Sequence, residues 1–261
     1  MTFLFSRHIA VYEEIKDRAS NDVEKYVGNP LNSYLLIKKL TSDWKEVKNL
    51  MSSTAHSGED LLANMTDLYQ QPLRWPSEED LSGAAIALTR LQETYNIDPS
   101  DLARGKLNGK NVGPSLSAHD CFELGRQHYN SGDMDHAILW MKEARKRVDE
   151  EEKGRETVEV ADILEYIAFA YYSENDLRKA LHFTNELLAI QPDHPRALGN
   201  KMYYESNIGE EKDIHKKGDD GDKEAAEPEF TVSERKLIEN AESENAIYKK
   251  LCRGEKIKPN K

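Results

Sequence analysis

The stretch "ILEYIAFAYYSENDLRKALHFTNELLAI" (residues 163–190) decides the fold, because it reads as two amphipathic helices joined by a short polar turn. Small and aliphatic residues recur every three to four positions in both halves, which is the spacing of one helix face. The stretch "DCFELGRQHYNSGDMDHAILWMKEAR" (residues 120–145) has the same layout, and its Leu124 and Ala137 align with Ile167 and Ala180 at a spacing of 43 residues. The chain therefore contains an internal helix–turn–helix repeat.

This pattern resembles the tetratricopeptide repeat, a helix–turn–helix unit of about 34 residues. Ala144 and Pro192 stand where that repeat has a small residue and a terminating proline, and the charged stretch "DEEEKGRET" (residues 149–157) fits an enlarged loop. The stretch "DHPRALGNKMYYESN" (residues 193–207) predicts one more helix, as a half repeat or a cap. The predicted fold class is all-α.

Aromatic residues follow one side of the helix that begins this second unit. In this repeat the first helix of each pair lines a concave groove, and the register assigns Leu164, Ile167, Ala168 and Tyr171 to packing. The remaining aromatic and polar residues that the register brings together form the predicted peptide-binding site: Tyr129, Tyr166, Phe169, Tyr172, Arg196, Asn200 and Tyr203. The alternative is that these tyrosines only cover the gap between two domains.

A groove of aromatic rings suits a polyproline II segment. Such a segment presents flat pyrrolidine faces every third residue and has free carbonyl groups. Aromatic rings stack on the prolines, and polar side chains such as Arg196 and Asn200 donate to the carbonyls. The predicted ligand is therefore a proline-rich peptide.

The part before the repeat is also expected to be helical. Two amphipathic stretches on either side of the breaker "VGNPLN" (residues 27–32) suggest an antiparallel pair or a coiled-coil-like dimer interface, within a predicted domain 1–101. Residues 102–116, rich in Gly, Lys and Asn, are predicted to be a linker to the repeat domain 117–208. Residues 209–230 are expected to be a disordered acidic linker, followed by the start of a further region at 231–261.

Composition excludes several classes of function. The net charge of −12, from 48 acidic and 36 basic residues, disfavours nucleic acid as a partner. No apolar run approaches the roughly 20 residues of a membrane span. The two cysteines form no metal-ligand spacing, and the sequence shows no metal cluster, phosphate loop or nucleophile–base pair. The tripeptide "NMT" at Asn64 is an N-glycosylation sequon, which matters only in the secretory pathway.

Five stretches, in order along the chain, resemble the alpha subunit of collagen prolyl 4-hydroxylase: "VGNPLNSYLLIKKLTSDW" (27–44), "LSGAAIALTRLQETYNID" (81–98), "DCFELGRQHYNSGDMDHAILWM" (120–141), "DLRKALHFTNELLAIQPDHPRALGN" (176–200) and "YKKLCRGE" (248–255). The resemblance implies an N-terminal dimerisation domain and a domain that binds proline-rich procollagen. It also implies the endoplasmic reticulum lumen, a tetramer with protein disulfide isomerase, and a C-terminal dioxygenase domain that uses Fe(II), 2-oxoglutarate and ascorbate.

The family's groove tyrosines match Tyr166 and Tyr172, and its Arg, Asn and Tyr on the next helix match Arg196, Asn200 and Tyr203. The family often has tyrosine where this chain has Phe169, so peptide preference is expected to differ. Asn64 lies where family members carry a sequon. Cys252 matches a cysteine whose partner lies further downstream in the family, so it is expected to be a free thiol.

None of the eight histidines is followed two residues later by Asp or Glu, as the family's iron site requires. The sequence also shows no signal peptide. The chain is therefore expected to be a fragment or truncated product, inactive alone, that binds substrate and dimerises. The alternative is a cytosolic repeat adaptor for a partner's acidic C-terminus. Asp162 and Glu165 beside Arg126 and Arg196 argue against that adaptor.

Overall fold

A computed structural model describes residues 2–45, 75–107, 109–154, 156–217 and 245–256. The described residues are predominantly helical, which confirms the predicted all-α class. The chain divides into two compact units, one of residues 1–89 and 103–116, the other of residues 90–102 and 117–261. No helix within the described ranges is long and apolar enough to cross a membrane.

The first unit begins with helices α1 (Thr2–Ala19), α2 (Val23–Val27) and α3 (Pro30–Lys38), followed by a π-helical turn at Lys39–Asp43. The breaker acts as predicted, because the Asn29 side chain accepts from the Leu31 amide (2.9 Å) at the start of α3 and Pro30 occupies the first helical position. Leu31 and Tyr34 are buried. Helix α4 (Glu78–Thr94) begins with a reciprocal cap, in which Asp80 accepts from the Ser77 amide at 2.7 Å.

An ion-pair cluster lies at the end of α3. Asp43 accepts from Lys38 Nζ (2.8 Å) and Lys39 Nζ (2.6 Å), and the Lys38 and Asp43 side chains are almost fully buried. Burial alone would raise the pKa of the Asp43 carboxyl, but the two lysines outweigh it and lower that pKa to about 2. The Tyr12 hydroxyl donates to the Lys39 carbonyl at 3.0 Å, so α1 is fastened to the same turn.

Residues 102–116, predicted to be a linker, contain regular structure. Strands β1 (Lys106–Leu107) and β2 (Lys110–Asn111) pair there as a short antiparallel hairpin, after helix α5 (Pro99–Ala103). Leu116 is buried and donates its amide to the Ala103 carbonyl at 2.8 Å. Gly105 has a φ of +67°, and a Cβ there would lie 2.3 Å from the Gly113 carbonyl oxygen. At Gly105 the absence of a side chain therefore serves close backbone packing.

Within the second unit, the described residues between 118 and 217 form two helix pairs and one further helix. Helices α6 (Ala118–Asn130) and α7 (Met134–Glu150) form the first pair, α8 (Val160–Ser173) and α9 (Leu177–Ile190) the second, and α10 (Pro195–Lys217) follows. Helix α10 extends nine residues beyond the predicted domain end at 208, so residues 209–217 are helical rather than disordered. The rest of the predicted acidic linker, 218–230, lies outside the described residues, as do 231–244. Residues 245–252 are helical.

The 43-residue register is present in three dimensions. Asp133 and Asp176, 43 residues apart, accept from the amides three residues later and begin α7 and α9. The preceding residues, Gly132 and Asn175, both adopt positive φ. Residues at equivalent packing positions in the two pairs are buried: Cys121, Leu124 and Gly125 in α6, and Leu164, Ile167 and Ala168 in α8. The two pairs are therefore copies of one packing unit.

The loop between the pairs is held by side chains. Glu151 accepts from the Ala118 amide (3.0 Å) and from the Thr157 amide (2.7 Å). Thr157 Oγ1 in turn accepts from the His119 amide at 3.0 Å. These bonds satisfy amides at the start of α6, so the enlarged loop fixes where the first groove helix begins.

Candidate peptide-binding groove

A continuous row of aromatic rings crosses α6, α8 and α10. The Tyr129 ring lies 5.0 Å from that of Tyr166 and 5.8 Å from that of Phe169, centroid to centroid. Phe169 lies 5.6 Å from Tyr172, and Tyr172 lies 5.9 Å from Tyr203. Interplanar angles of 62–84° make all four contacts edge-to-face, the favoured geometry for aromatic pairs. We call these five residues the aromatic row.

The aromatic row lies on the opposite side of α8 from the packing face. Phe169 is 39% exposed and Tyr203 52% exposed, while Tyr129, Tyr166 and Tyr172 are half-buried. By contrast Tyr171, on the packing face, is buried and stacks on Phe183 at 5.5 Å. Its hydroxyl accepts a hydrogen bond from Lys142 Nζ at 2.6 Å. The row therefore remains available at a surface of the second unit.

The phenol groups of the row influence one another. A side-chain hydrogen bond with Tyr203, together with the negative charge that ionised Tyr203 would place beside it, raises the pKa of Tyr172. Burial first, and the neighbouring Tyr166 second, raise the pKa of Tyr129. Behind the row, burial raises the pKa of Tyr204 to about 12. The hydroxyls of Tyr129, Tyr172 and Tyr204 therefore stay protonated at neutral pH and can both donate and accept hydrogen bonds.

The two arginines near the row are paired with glutamates. Arg196 contacts both carboxylate oxygens of Glu165 at 3.0 Å. Arg126 contacts both oxygens of Glu123, at 2.6 and 2.9 Å. Because Glu165 engages two N–H groups of Arg196, only the remaining N–H groups of this guanidinium can donate to a peptide. Asn200 is half-buried on α10, one turn before Tyr203.

Two aromatic residues beside the row escaped the sequence analysis. Phe122 packs edge-on against Tyr166 at 5.3 Å, and Tyr204 contacts Tyr172 at 5.4 Å. Phe122 lies seven residues before Tyr129, two helical turns along the same face, and that spacing is a signal that could have identified it. Tyr204 is 2% exposed, so it packs against the buried side of Tyr172.

The sequence analysis also assigned no metal-ligating residues, yet the structure brings His128, Asp133 and His136 together at the turn between α6 and α7. The predicted glycosylation residue Asn64 lies outside the described residues. Cys121 is buried and Cys252 is half-buried, and both are free thiols.

Comparison with known proteins identifies both halves of the chain. Residues 4–109 match the family described as "Prolyl 4-Hydroxylase alpha-subunit, N-terminal region", and residues 118–210 match "Prolyl 4-hydroxylase peptide-substrate-binding domain". The aromatic row lies entirely within the second match.

Among curated proteins, prolyl 4-hydroxylase subunit alpha-1 of Homo sapiens is 37% identical over 246 residues, 94% of this chain and 44% of the relative. Subunit alpha-1 of Caenorhabditis elegans is 45% identical over 187 residues, 72% of this chain and 33% of the relative. The chain spans less than half the length of these relatives. Two family matches in the expected order, together with these identities, show that the chain belongs to the prolyl 4-hydroxylase alpha-subunit family.

Proposed function

We propose that the second unit binds proline-rich peptides in the polyproline II conformation, and that the aromatic row forms the binding surface. The observation that carries the proposal is the unbroken run of edge-to-face rings from Tyr129 to Tyr203. Equivalent faces of a polyproline II helix recur about every 9 Å. Two ring-to-ring steps of 5.0–5.9 Å cover a comparable distance. Collagen-like sequences are the corresponding substrate class.

Polar groups on the helices that carry the row supply the hydrogen bonds that such a peptide requires. A proline-rich strand has carbonyl acceptors and few N–H donors, so it needs donors from the protein. The Asn200 amide, one hydroxyl of the hydrogen-bonded Tyr172–Tyr203 pair and the unengaged N–H groups of Arg196 are donors of this kind. Glu165 then acts as a positioning residue that holds the Arg196 guanidinium in place.

Calorimetric titration with poly-L-proline and with (Pro-Pro-Gly) repeats tests the proposal. Wild-type protein is expected to show saturable binding, and a Tyr166→Ala, Tyr203→Ala double variant is expected to lose it. Tyr248→Ala is the matched control, since that ring is 61% exposed but lies outside the row. Binding that survives the double variant, or that Tyr248→Ala also abolishes, would contradict the proposal.

The adaptor alternative is less well supported by the charges beside the row. A clamp for an acidic C-terminus needs cations that are free to receive carboxylates. Arg126 and Arg196 are instead engaged by Glu123 and Glu165. In the same calorimetric series, a peptide that ends in several acidic residues is expected to give no saturable signal.

We also propose that the first unit contributes to dimerisation. Among the described side chains of α1 and α2, the large apolar residues Ile9, Val23 and Val27 are exposed. Exposed large apolar side chains on two consecutive helices favour an interface with a second copy. Sedimentation equilibrium is expected to give a mass twice that of the 29.9 kDa chain. A Val23→Glu variant is expected to sediment as a monomer. A wild-type protein that sediments as a monomer would contradict the proposal.

For the whole subunit, family membership supports hydroxylation of procollagen prolines, location in the endoplasmic reticulum lumen and assembly with protein disulfide isomerase. The Fe(II), 2-oxoglutarate and ascorbate of that reaction do not fit the described residues. His128, Asp133 and His136 form the cluster within them that could share an ion, and His128 is only 2% exposed, which leaves the exposed side of Asp133 as the open position and no room for a bidentate cosubstrate. We therefore assign substrate binding, rather than catalysis, to the described residues.

A further inference from the structure

Three potential metal ligands converge where α6 turns into α7. His128 Nδ1 lies 3.1 Å from Asp133 Oδ2, and His136 Nδ1 lies 2.7 Å from the same oxygen. The two imidazole rings are 5.2 Å apart, centroid to centroid. The ligand atoms of the three residues all lie within 4.8 Å of one another.

These distances suit a shared cation. Four ligands placed about 2.0–2.1 Å from a tetrahedral zinc ion are roughly 3.3–3.4 Å apart. The observed separations from Asp133 Oδ2, 3.1 Å and 2.7 Å, are shorter than that spacing by up to about 0.7 Å, so the side chains have to move apart slightly to admit the ion. Two imidazole nitrogens and one carboxylate oxygen form a donor set that first-row transition metals favour. The exposed side of Asp133 leaves a fourth position open to water.

The surrounding residues provide the outer shell of such a site. A metal-ligating histidine normally donates its other ring N–H to a carboxylate. His136 meets this condition, because its Nε2 lies 3.0 Å from Glu93 Oε1. The second oxygen of Glu93 contacts Lys249 Nζ at 3.3 Å, which fixes the carboxylate. We propose that His128, Asp133 and His136 bind one Zn²⁺ ion per chain, with Glu93 as the carboxylate that orients His136.

The second repeat shows that helix capping alone does not require the histidines. Asp176 caps α9 just as Asp133 caps α7, but it pairs with Lys179 at 2.7 Å. The positions 43 residues after His128 and His136 are occupied by Tyr171 and Lys179. The cap therefore works with an ordinary ion pair. The first repeat differs by having two ring nitrogens within 3.1 Å of the same carboxylate oxygen, which places three potential ligands together.

The internal comparison also supplies the test variant. His136→Lys recreates the Asp–Lys pair of the second repeat, so it should fold while lacking one ligand and its link to Glu93. His182→Gln is the matched control, because His182 also contacts a carboxylate, Glu186, at 3.0 Å but lies on the exposed face of α9. All proteins are prepared untagged, stripped with EDTA and in a Cys252→Ser background to remove a competing thiol.

Calorimetric titration with ZnCl₂ is expected to give one site per chain in the Cys252→Ser protein and in His182→Gln. Affinity is expected to fall at least tenfold in His136→Lys, and by roughly tenfold or more in Glu93→Gln. At free zinc a hundredfold above Kd, the melting temperature should rise by about 5 °C or more, except in His136→Lys. The Co²⁺-loaded protein should show the visible absorption of a tetrahedral site.

Two results would overturn the inference. One is the absence of saturable zinc binding by protein that circular dichroism shows to be folded. The other is equal affinity in His136→Lys and His182→Gln, which would identify only adventitious binding.

Discussion

At the scale of single residues, Phe169 is the most informative member of the aromatic row. It contacts Tyr129 on one side and Tyr172 on the other, so it joins the two halves of the surface. It carries no hydroxyl and is 39% exposed, which leaves ring stacking as its contribution. The tyrosines on either side add hydroxyls whose protons are retained at neutral pH.

Replacement of Phe169 separates stacking from hydrogen bonding. Phe169→Ala is expected to weaken poly-L-proline binding by about tenfold, because one ring face and two edge-to-face contacts are lost. Phe169→Tyr keeps the ring and should change the affinity by less than about threefold. Calorimetry measures both. Equal affinity in Phe169→Ala and the wild type would exclude this ring from the binding surface.

At the scale of helices, close approach of α6 and α7 depends on Gly125. A Cβ at this position would lie 2.9 Å from Met141 Cγ and 3.2 Å from the Ala137 carbonyl oxygen. Gly125→Ala is therefore expected to destabilise the second unit by about 1–3 kcal/mol. Gly199→Ala, on α10, meets nothing within 4 Å and should stabilise it by up to about 1 kcal/mol. Urea unfolding followed by circular dichroism measures both, and similar midpoints would contradict this account of the packing.

The buried Asp43 cluster predicts how the first unit responds to acid. The folded pKa of about 2 lies below the usual 3.8, so the stabilisation is fully present above pH 3.8 and is lost as the pH falls through 2. The difference corresponds to about 2 kcal/mol. Asp43→Asn should remove this part of the pH dependence and lower stability at pH 7 by about 3 kcal/mol, since it leaves Lys38 buried and unpaired. Unfolding curves of the wild type and of Asp43→Asn at pH 7 and pH 2.5 test this. An equal loss of unfolding free energy in the two proteins between these pH values would contradict it.

The repeat could be predicted from sequence because it depends on local signals. Capping aspartates and buried small residues recur at a fixed interval, and both are visible in the printed residues. The hairpin at 106–111 could not be predicted, since its stability comes from distant partners such as the Asn29 side chain, which donates to the Val112 carbonyl at 2.6 Å. The pairing of Arg196 with Glu165 and of His136 with Glu93 was missed for the same reason, because each joins residues more than 30 positions apart.

At the scale of the whole molecule, which has a net charge of −12, the salt dependence of binding distinguishes a groove for proline-rich peptides from a clamp for an acidic C-terminus. A proline-rich peptide with neutral side chains gains little from long-range electrostatics. Its affinity should therefore change by less than about twofold between roughly 0.05 and 0.5 M NaCl. An adaptor that clamps an acidic tail would lose affinity steeply over the same range. Calorimetry at the two salt concentrations distinguishes these outcomes.

The central claim is that peptide contacts the aromatic row, and aromatic ¹H–¹³C NMR tests it most directly. Addition of poly-L-proline to selectively labelled protein should shift the ring resonances of Tyr166, Phe169, Tyr172 and Tyr203. The rings of Tyr171, buried against Phe183, and of Tyr248, outside the row, should stay in place. Shifts confined to Tyr248, or an unchanged spectrum at saturating peptide, would contradict the account and leave the row as packing.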